Sequence, residues 1–132
     1  MKLSEAIRLG SMMRPKQTFG MFVDIDNNSS YAIGAALEAI GMEANGTFAP
    51  TVSYEILFNH FTPDMGNIRS KCPIRNCPIN FDKENIVQLI VHLNDDHRWS
   101  RERIADFVES LELAQIEIPI VDNRKYDVYS RR

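Results

Sequence analysis

Cysteine is scarce in this chain: two residues in 132, too few for a disulfide framework. No hydrophobic run approaches the ~20 residues that a helix needs to cross a bilayer. The opening MKLSEAIRLG sets Glu5 and Arg8 among its apolar positions, which is not the pattern of a signal peptide. An excess of basic charge is missing too, with 15 Lys+Arg against 18 Asp+Glu and a formal net charge of -3. That balance excludes non-specific nucleic-acid binding by the whole chain, because such binding rests on neutralising phosphates. Internal repeats, low-complexity tracts, P-loops, nucleophile elbows and zincin motifs are all absent. What remains is an ordinary globular composition, 44% hydrophobic and 25% charged. The expectation is a cytoplasmic α+β protein of one compact, mostly helical domain with a short sheet and no membrane segment.

The charge is unevenly spread. Residues 1–68 carry 4 basic and 7 acidic groups, residues 69–104 carry 7 and 5, and residues 105–132 carry 4 and 6. The one positive stretch also holds both cysteines and two of the three histidines.

Periodicity divides the chain into elements. Ser4 can cap a short first helix with Leu3, Ala6, Ile7 and Leu9 on its apolar side, and Gly10 is a natural stop. From Thr18 the period becomes two, with Phe19, Met21, Val23 and Ile25 alternating, which predicts a strand ended by a turn at Asn27–Ser30. Tyr31 to Ile40 returns to helical spacing through Ile33, Ala36, Leu37 and Ile40, with Gly41 as the C′ residue. Its small residues Ala32, Gly34, Ala35 and Ala39 suit close packing against a neighbour.

A third helix is predicted over Thr51–Phe61, its stripe formed by Tyr54, Leu57, Phe58 and Phe61, followed by a loop at residues 62–66. A fourth runs from Lys83 to Asn94, capped by Asp82, with Ile86, Leu89, Ile90 and Leu93 buried. A fifth starts at the Ser100 cap and carries Ile104, Phe107, Val108 and Leu111. Trp99 and Ile104 have the spacing of a hydrophobic staple. Alternating Ile116, Ile118 and Ile120 predict an edge strand containing Pro119 and lying beside residues 18–25, before a frayed tail. The expected organisation is a core portion over 1–68, a metal-binding helical hairpin over 69–113 packed on it, and an edge strand with tail over 114–132.

The strongest chemical signal is Cys72-x4-Cys77-x14-His92-x4-His97. Two short-range pairs of thiolate and imidazole are the ligand set that tetrahedral zinc prefers. Pro73 and Pro78 punctuate a segment suited to a tight knuckle. The Asn94-Asp95-Asp96 break can turn His97 back toward His92. With all four positions supplied by protein, no coordination site is left for substrate, so the zinc is expected to be structural rather than catalytic. A Cys72–Cys77 disulfide is the competing use of the thiols. His60, between Asn59 and Phe61, stands outside the pattern as a helix-end histidine.

This segment resembles the C2H2 zinc finger family over residues 70–97. Phe81 lies four residues after Cys77 and Leu89 three before His92, matching the two apolar markers of that family. The interval of 14 between Cys77 and His92 departs from the usual 12. The resemblance implies zinc binding, with Phe81 and Leu89 packed beneath the ion. The chain as a whole is similar to small proteins of bacteriophages and prophages. That likeness rests on MKLSEAIRLG, on the Ala-Ile-Gly-Ala-Ala-Leu-Glu-Ala run at 32–39, and on His92-Leu-Asn-Asp-Asp-His-Arg-Trp-Ser100. It implies an accessory role in a bacterial host, through interference with host machinery or help in phage assembly.

Three functions follow as expectations. The first is a non-catalytic, zinc-stabilised module that binds a protein of host or phage. The second is a finger-like nucleic-acid binder. Counting Lys83 as the first helical residue, Asp82, Asn85 and Gln88 occupy the base-reading positions. Arg69, Lys71, Arg75, Arg98, Arg101 and Arg103 are then the phosphate-contacting cations, opposed by Asp82, Glu84, Asp95 and Asp96. The third is a small metal-dependent nuclease or hydrolase built on His92, Asn94, Asp95, Asp96 and His97. That use conflicts with the histidines serving as ligands in a closed site.

Overall fold

The computed structural model describes residues 1–42, 46, 59–78 and 83–121, with side chains described as far as 115. These residues form four helices and two small sheets, an α+β arrangement. Helix α1 spans Leu3–Met13, α2 Ala32–Ala39, α3 Ile86–Asp95 and α4 Arg101–Val121. Strands β1 (Lys16–Gln17), β2 (Val23–Asp24) and β3 (Ser29–Ser30) make one sheet in the order β1-β3-β2. β1 runs parallel and β2 antiparallel to β3. Strands β4 (Arg69–Ser70) and β5 (Glu84–Asn85) form a separate antiparallel ribbon in which Arg69 faces Asn85.

Helix α1 runs past Gly10, which is not a stop. A Cβ at Gly10 would collide with the Ala35 carbonyl of α2, so the glycine is where the two backbones press together. Ser4 is likewise inside the helix rather than its cap, because Lys2 holds that position. Its backbone N–H and its hydroxyl both donate to the buried Glu112 of α4, at 3.0 and 2.5 Å. A carboxylate at the positive end of a helix satisfies N–H groups that have no partner within it. On the outer surface Arg8 reaches Glu102, Asp106 and Glu109 of α4, and these carboxylates hold its guanidinium well above the usual range.

Helix α2 matches its sequence pattern. Every residue from Ser29 to Leu37 is buried. Gly41 has φ +83°, and its N–H donates to the Glu38 carbonyl while that of Met42 donates to Leu37. This is a Schellman ending, which needs a left-handed residue at C′. Gly34 allows the Phe22 backbone to cross the helix at close range. Tyr31 is buried edge-on to Phe22, with ring centroids 4.8 Å apart.

The long strand expected from Thr18 to Ile25 is shortened to Val23–Asp24. Residues 19–22 bend instead, with Gly20 at φ +77°, and the Gly20 N–H donates to Asp95 Oδ1 while the Thr18 carbonyl accepts from Asn94 Nδ2. Side chains from the end of α3 thus take up backbone groups that a ladder would have used. The expected turn also ends earlier, since Ser29 and Ser30 belong to β3.

Ile116, Ile118 and Ile120 lie in α4 and not in an edge strand, because the helix continues to Val121. Leu111, Glu112, Leu113, Ala114 and Gln115 are strong helix formers with no stop signal among them. Pro119 enters only in the last turn. The predicted helix over 51–61 lies mostly outside the described residues, as do Asp82 and Phe81; residues 59–60 are helical. One apolar cluster joins α1, α2, α3 and α4 through Leu3, Ile7, Ile33, Leu37, Leu89, Leu93, Ile104 and Val108.

Candidate metal centre

The end of α3 positions two of the four predicted ligands. Asn85, not Asp82, caps this helix by accepting from the Gln88 N–H at 2.9 Å, and so α3 begins at Ile86, three residues later than expected. Ile86, Leu89, Ile90 and Leu93 are fully buried, which fixes the rotation of the helix. His92 then stands buried one turn before its end. The backbone turns at Asp96 and His97, and both of their N–H groups donate to the His92 carbonyl. That turn brings the second imidazole back beside the first, with ring centroids 4.6 Å apart.

The other two ligands sit in the connection between β4 and β5. Cys77 N–H donates to the Ile74 carbonyl, closing the knuckle between the thiols. Both cysteines are free thiols, half-buried. Cys72 Sγ lies 3.4 Å from His97 Nε2, and Cys77 Sγ lies 3.3 Å from His92 Nε2. The four ligand atoms all fall within 4.8 Å of one another. A tetrahedral ion with bonds of about 2.0–2.3 Å separates its ligand atoms by roughly 3.3–3.8 Å. The set therefore fits a metal ion in both chemistry and spacing, with Cys72, Cys77, His92 and His97 as its holders.

Burial pushes the Cys72 thiol above its ordinary value, a backbone hydrogen bond at Ile74 opposes this, and neighbouring Cys77 adds to it. Burial and then the neighbouring His92 lower His97, which favours the neutral imidazole that ligates metals. Without a cation the site would hold its thiol proton. A bound ion takes that proton's place, so affinity falls as pH falls.

Two residues beside the ligands carry more than sequence reasoning assigned to them. His92 Nδ1 lies 2.7 Å from Asp96 Oδ2. Asn94, fully buried, uses its amide completely: Oδ1 accepts from Gln17 Nε2 and the Ala32 N–H, while Nδ2 donates to the Thr18 carbonyl and to Asp95 Oδ1. A polar residue at a helix end offered no signal of this; only the fold brings residues 17, 18 and 32 to it.

The cations and amides singled out for nucleic acid divide into two groups. Arg69, Lys71, Arg75, Gln88 and Arg98 are exposed. Arg98, at φ +54°, lies over the Phe19 ring at 4.2 Å, and Arg103 lies over Trp99 at 3.9 Å. Arg101 is different. It is only 6% exposed and donates to the carbonyls of Arg14, Pro15 and Ser30 and to Ser30 Oγ. Arg101 is thus a bracket between α4 and the sheet, unavailable to phosphate, and Asn85 is spent as a helix cap. Trp99 meets Phe107 edge-on at 6.4 Å as it packs at the start of α4. His60 is exposed and is not part of the cluster.

No family model, curated protein or solved structure matches this chain. Among the described residues, no helix is long and apolar enough to cross a membrane.

Proposed function

We propose that the chain is a non-catalytic binding module stabilised by one structural zinc ion and acting through contacts with a protein. The observation that carries the zinc assignment is the Cys2His2 set, with all four ligand atoms in one shell. Two thiolates and two imidazoles suit zinc better than the oxygen-seeking magnesium or calcium. Four protein ligands complete a tetrahedron, so the ion's task is to hold the knuckle. The same occupancy counts against the hydrolase, which needs the histidines for chemistry.

Support for a protein partner comes from the surface. Leu9, Met12 and Met13 are exposed at helical spacing on α1, on the side away from Ile7. Methionine-rich apolar surfaces adapt to protein partners. Against nucleic acid stand the net charge of -3 and the structural commitments of Arg101 and Asn85. An accessory role of this kind in the cytoplasm of a bacterial host is what the resemblance to small phage and prophage proteins implies.

Elemental analysis of untagged protein purified without added metal tests the zinc assignment, and one zinc per chain is expected. Titration with duplex and single-stranded DNA and RNA at several salt concentrations tests the choice of partner. Affinity that falls steeply as salt rises would replace the protein reading with the nucleic-acid one.

A further inference from the structure

We propose that Asp96 is a positioning residue of the metal centre, the carboxylate that orients His92 so that Nε2 faces the ion. This deepens the zinc reading and rests on it. The geometry is direct: Asp96 Oδ2 lies 2.7 Å from His92 Nδ1, while Nε2 of the same ring lies 3.3 Å from Cys77 Sγ. One ring nitrogen is thus held by a carboxylate while the other faces the cluster. A neutral imidazole has one N–H and one lone pair. A carboxylate on Nδ1 puts the N–H there and leaves the Nε2 lone pair for the metal.

The placement of the acid is otherwise unfavourable. Asp95 and Asp96 end α3 at its negative pole, where a carboxylate opposes the helix dipole. Asp95 has a local reason to be there, because its Oδ1 accepts from the Gly20 N–H and from Asn94 Nδ2. Among the described residues the only hydrogen-bond partner of the Asp96 side chain is His92, and that side chain is half exposed. An acid set against the dipole, outside the core and aimed at a metal-ligating ring, has its function in the ring. Neighbouring Asp95 faces the β1–β2 connection instead, which makes the pair a built-in control.

The test is zinc affinity by chelator competition on the full chain as wild type, Asp96→Ala, Asp96→Asn and Asp95→Ala, with melting of each chelated protein alongside. Loss of a carboxylate behind a ligating histidine weakens metal binding about ten- to a hundredfold. Asp96→Ala is expected to show that loss while its chelated form melts like the chelated wild type. Asp96→Asn, which keeps an acceptor but not the charge, is expected to fall between. Asp95→Ala is expected to lower the melting temperature of the chelated form and leave zinc affinity unchanged. Nitrogen-detected NMR of the zinc-loaded wild type should find the His92 proton on Nδ1. Wild-type affinity in Asp96→Ala, or equal losses in the two alanine variants, would overturn the role of Asp96 and leave the zinc reading standing. A wild type that takes up no zinc would overturn both.

Discussion

Ser29–Leu37 and residues 69–78 are segments of similar length in opposite environments. Every residue of the first is buried and none of the second is. The first is held as most protein interiors are, by apolar burial with its polar groups paired, at roughly 25 cal/mol per Å² of apolar surface removed from water. The second has little apolar surface to bury, yet it must bring Cys72 and Cys77 within reach of two imidazoles. Beside the pairing of β4 with β5, its hold on the proposed reading comes from those four side chains and the ion they suit. On the zinc reading coordination substitutes for burial there, and the two regions should respond differently to the same perturbation.

The largest separation is expected from the ligands themselves. Cys77→Ser or His92→Ala should abolish zinc uptake and lower the melting temperature steeply, because zinc binding in finger peptides supplies about 10–16 kcal/mol of apparent folding free energy. Elemental analysis with a thermal melt reads both effects. Next comes a change outside the cluster. Glu112→Ala leaves the buried N–H and hydroxyl of Ser4 without their acceptor, a loss of about 1–3 kcal/mol for an orphaned group. Calorimetry should find that loss equal in zinc-loaded and chelated protein, with zinc content unchanged.

A comparable cost attends Gly10→Ala, whose new methyl would meet the Ala35 backbone carbonyl and not a side chain that can swing aside. Overpacking of this kind costs about 1–3 kcal/mol, and urea denaturation should show it with the metal site intact. Acid gives the smallest effect. The imidazole of His97 is lowered in the folded, metal-free protein, so below its ordinary value the unfolded chain takes up the proton first. Stability from this residue is therefore present above about pH 6.5 and lost as pH falls toward the folded value. As pH falls through that range the melting temperature of chelated wild type should drop further than that of His97→Gln, which lacks the titrating ring.

How much of this was legible depended on how local each cause is. Helix α2 and its Gly41 ending were readable because spacing and the terminating glycine lie within a dozen residues. The Cys2His2 cluster was readable because metal chemistry restricts residue type and interval more than packing does. Gly10 was misread as a stop because the backbone it accommodates, at Ala35, lies far along the chain. The strand over 18–25 failed for a related reason: Asn94 and Asp95 arrive from α3 and take its backbone groups. Arg101 looked like a surface cation, since nothing in its neighbours announces that the carbonyls of Arg14, Pro15 and Ser30 surround it. The helical course of residues 116–121 shows period-two spacing yielding to the continuity of a long helix.

Amide hydrogen exchange on zinc-loaded and chelated protein, compared segment by segment, tests most directly the claim that coordination holds the knuckle. Removing zinc should strip protection from residues 69–78 and from the turn at 96–97, while Ser29–Leu37 keeps its slow exchange. Equal protection of residues 69–78 in the two forms would contradict it, because the knuckle would then be held by something other than the ion.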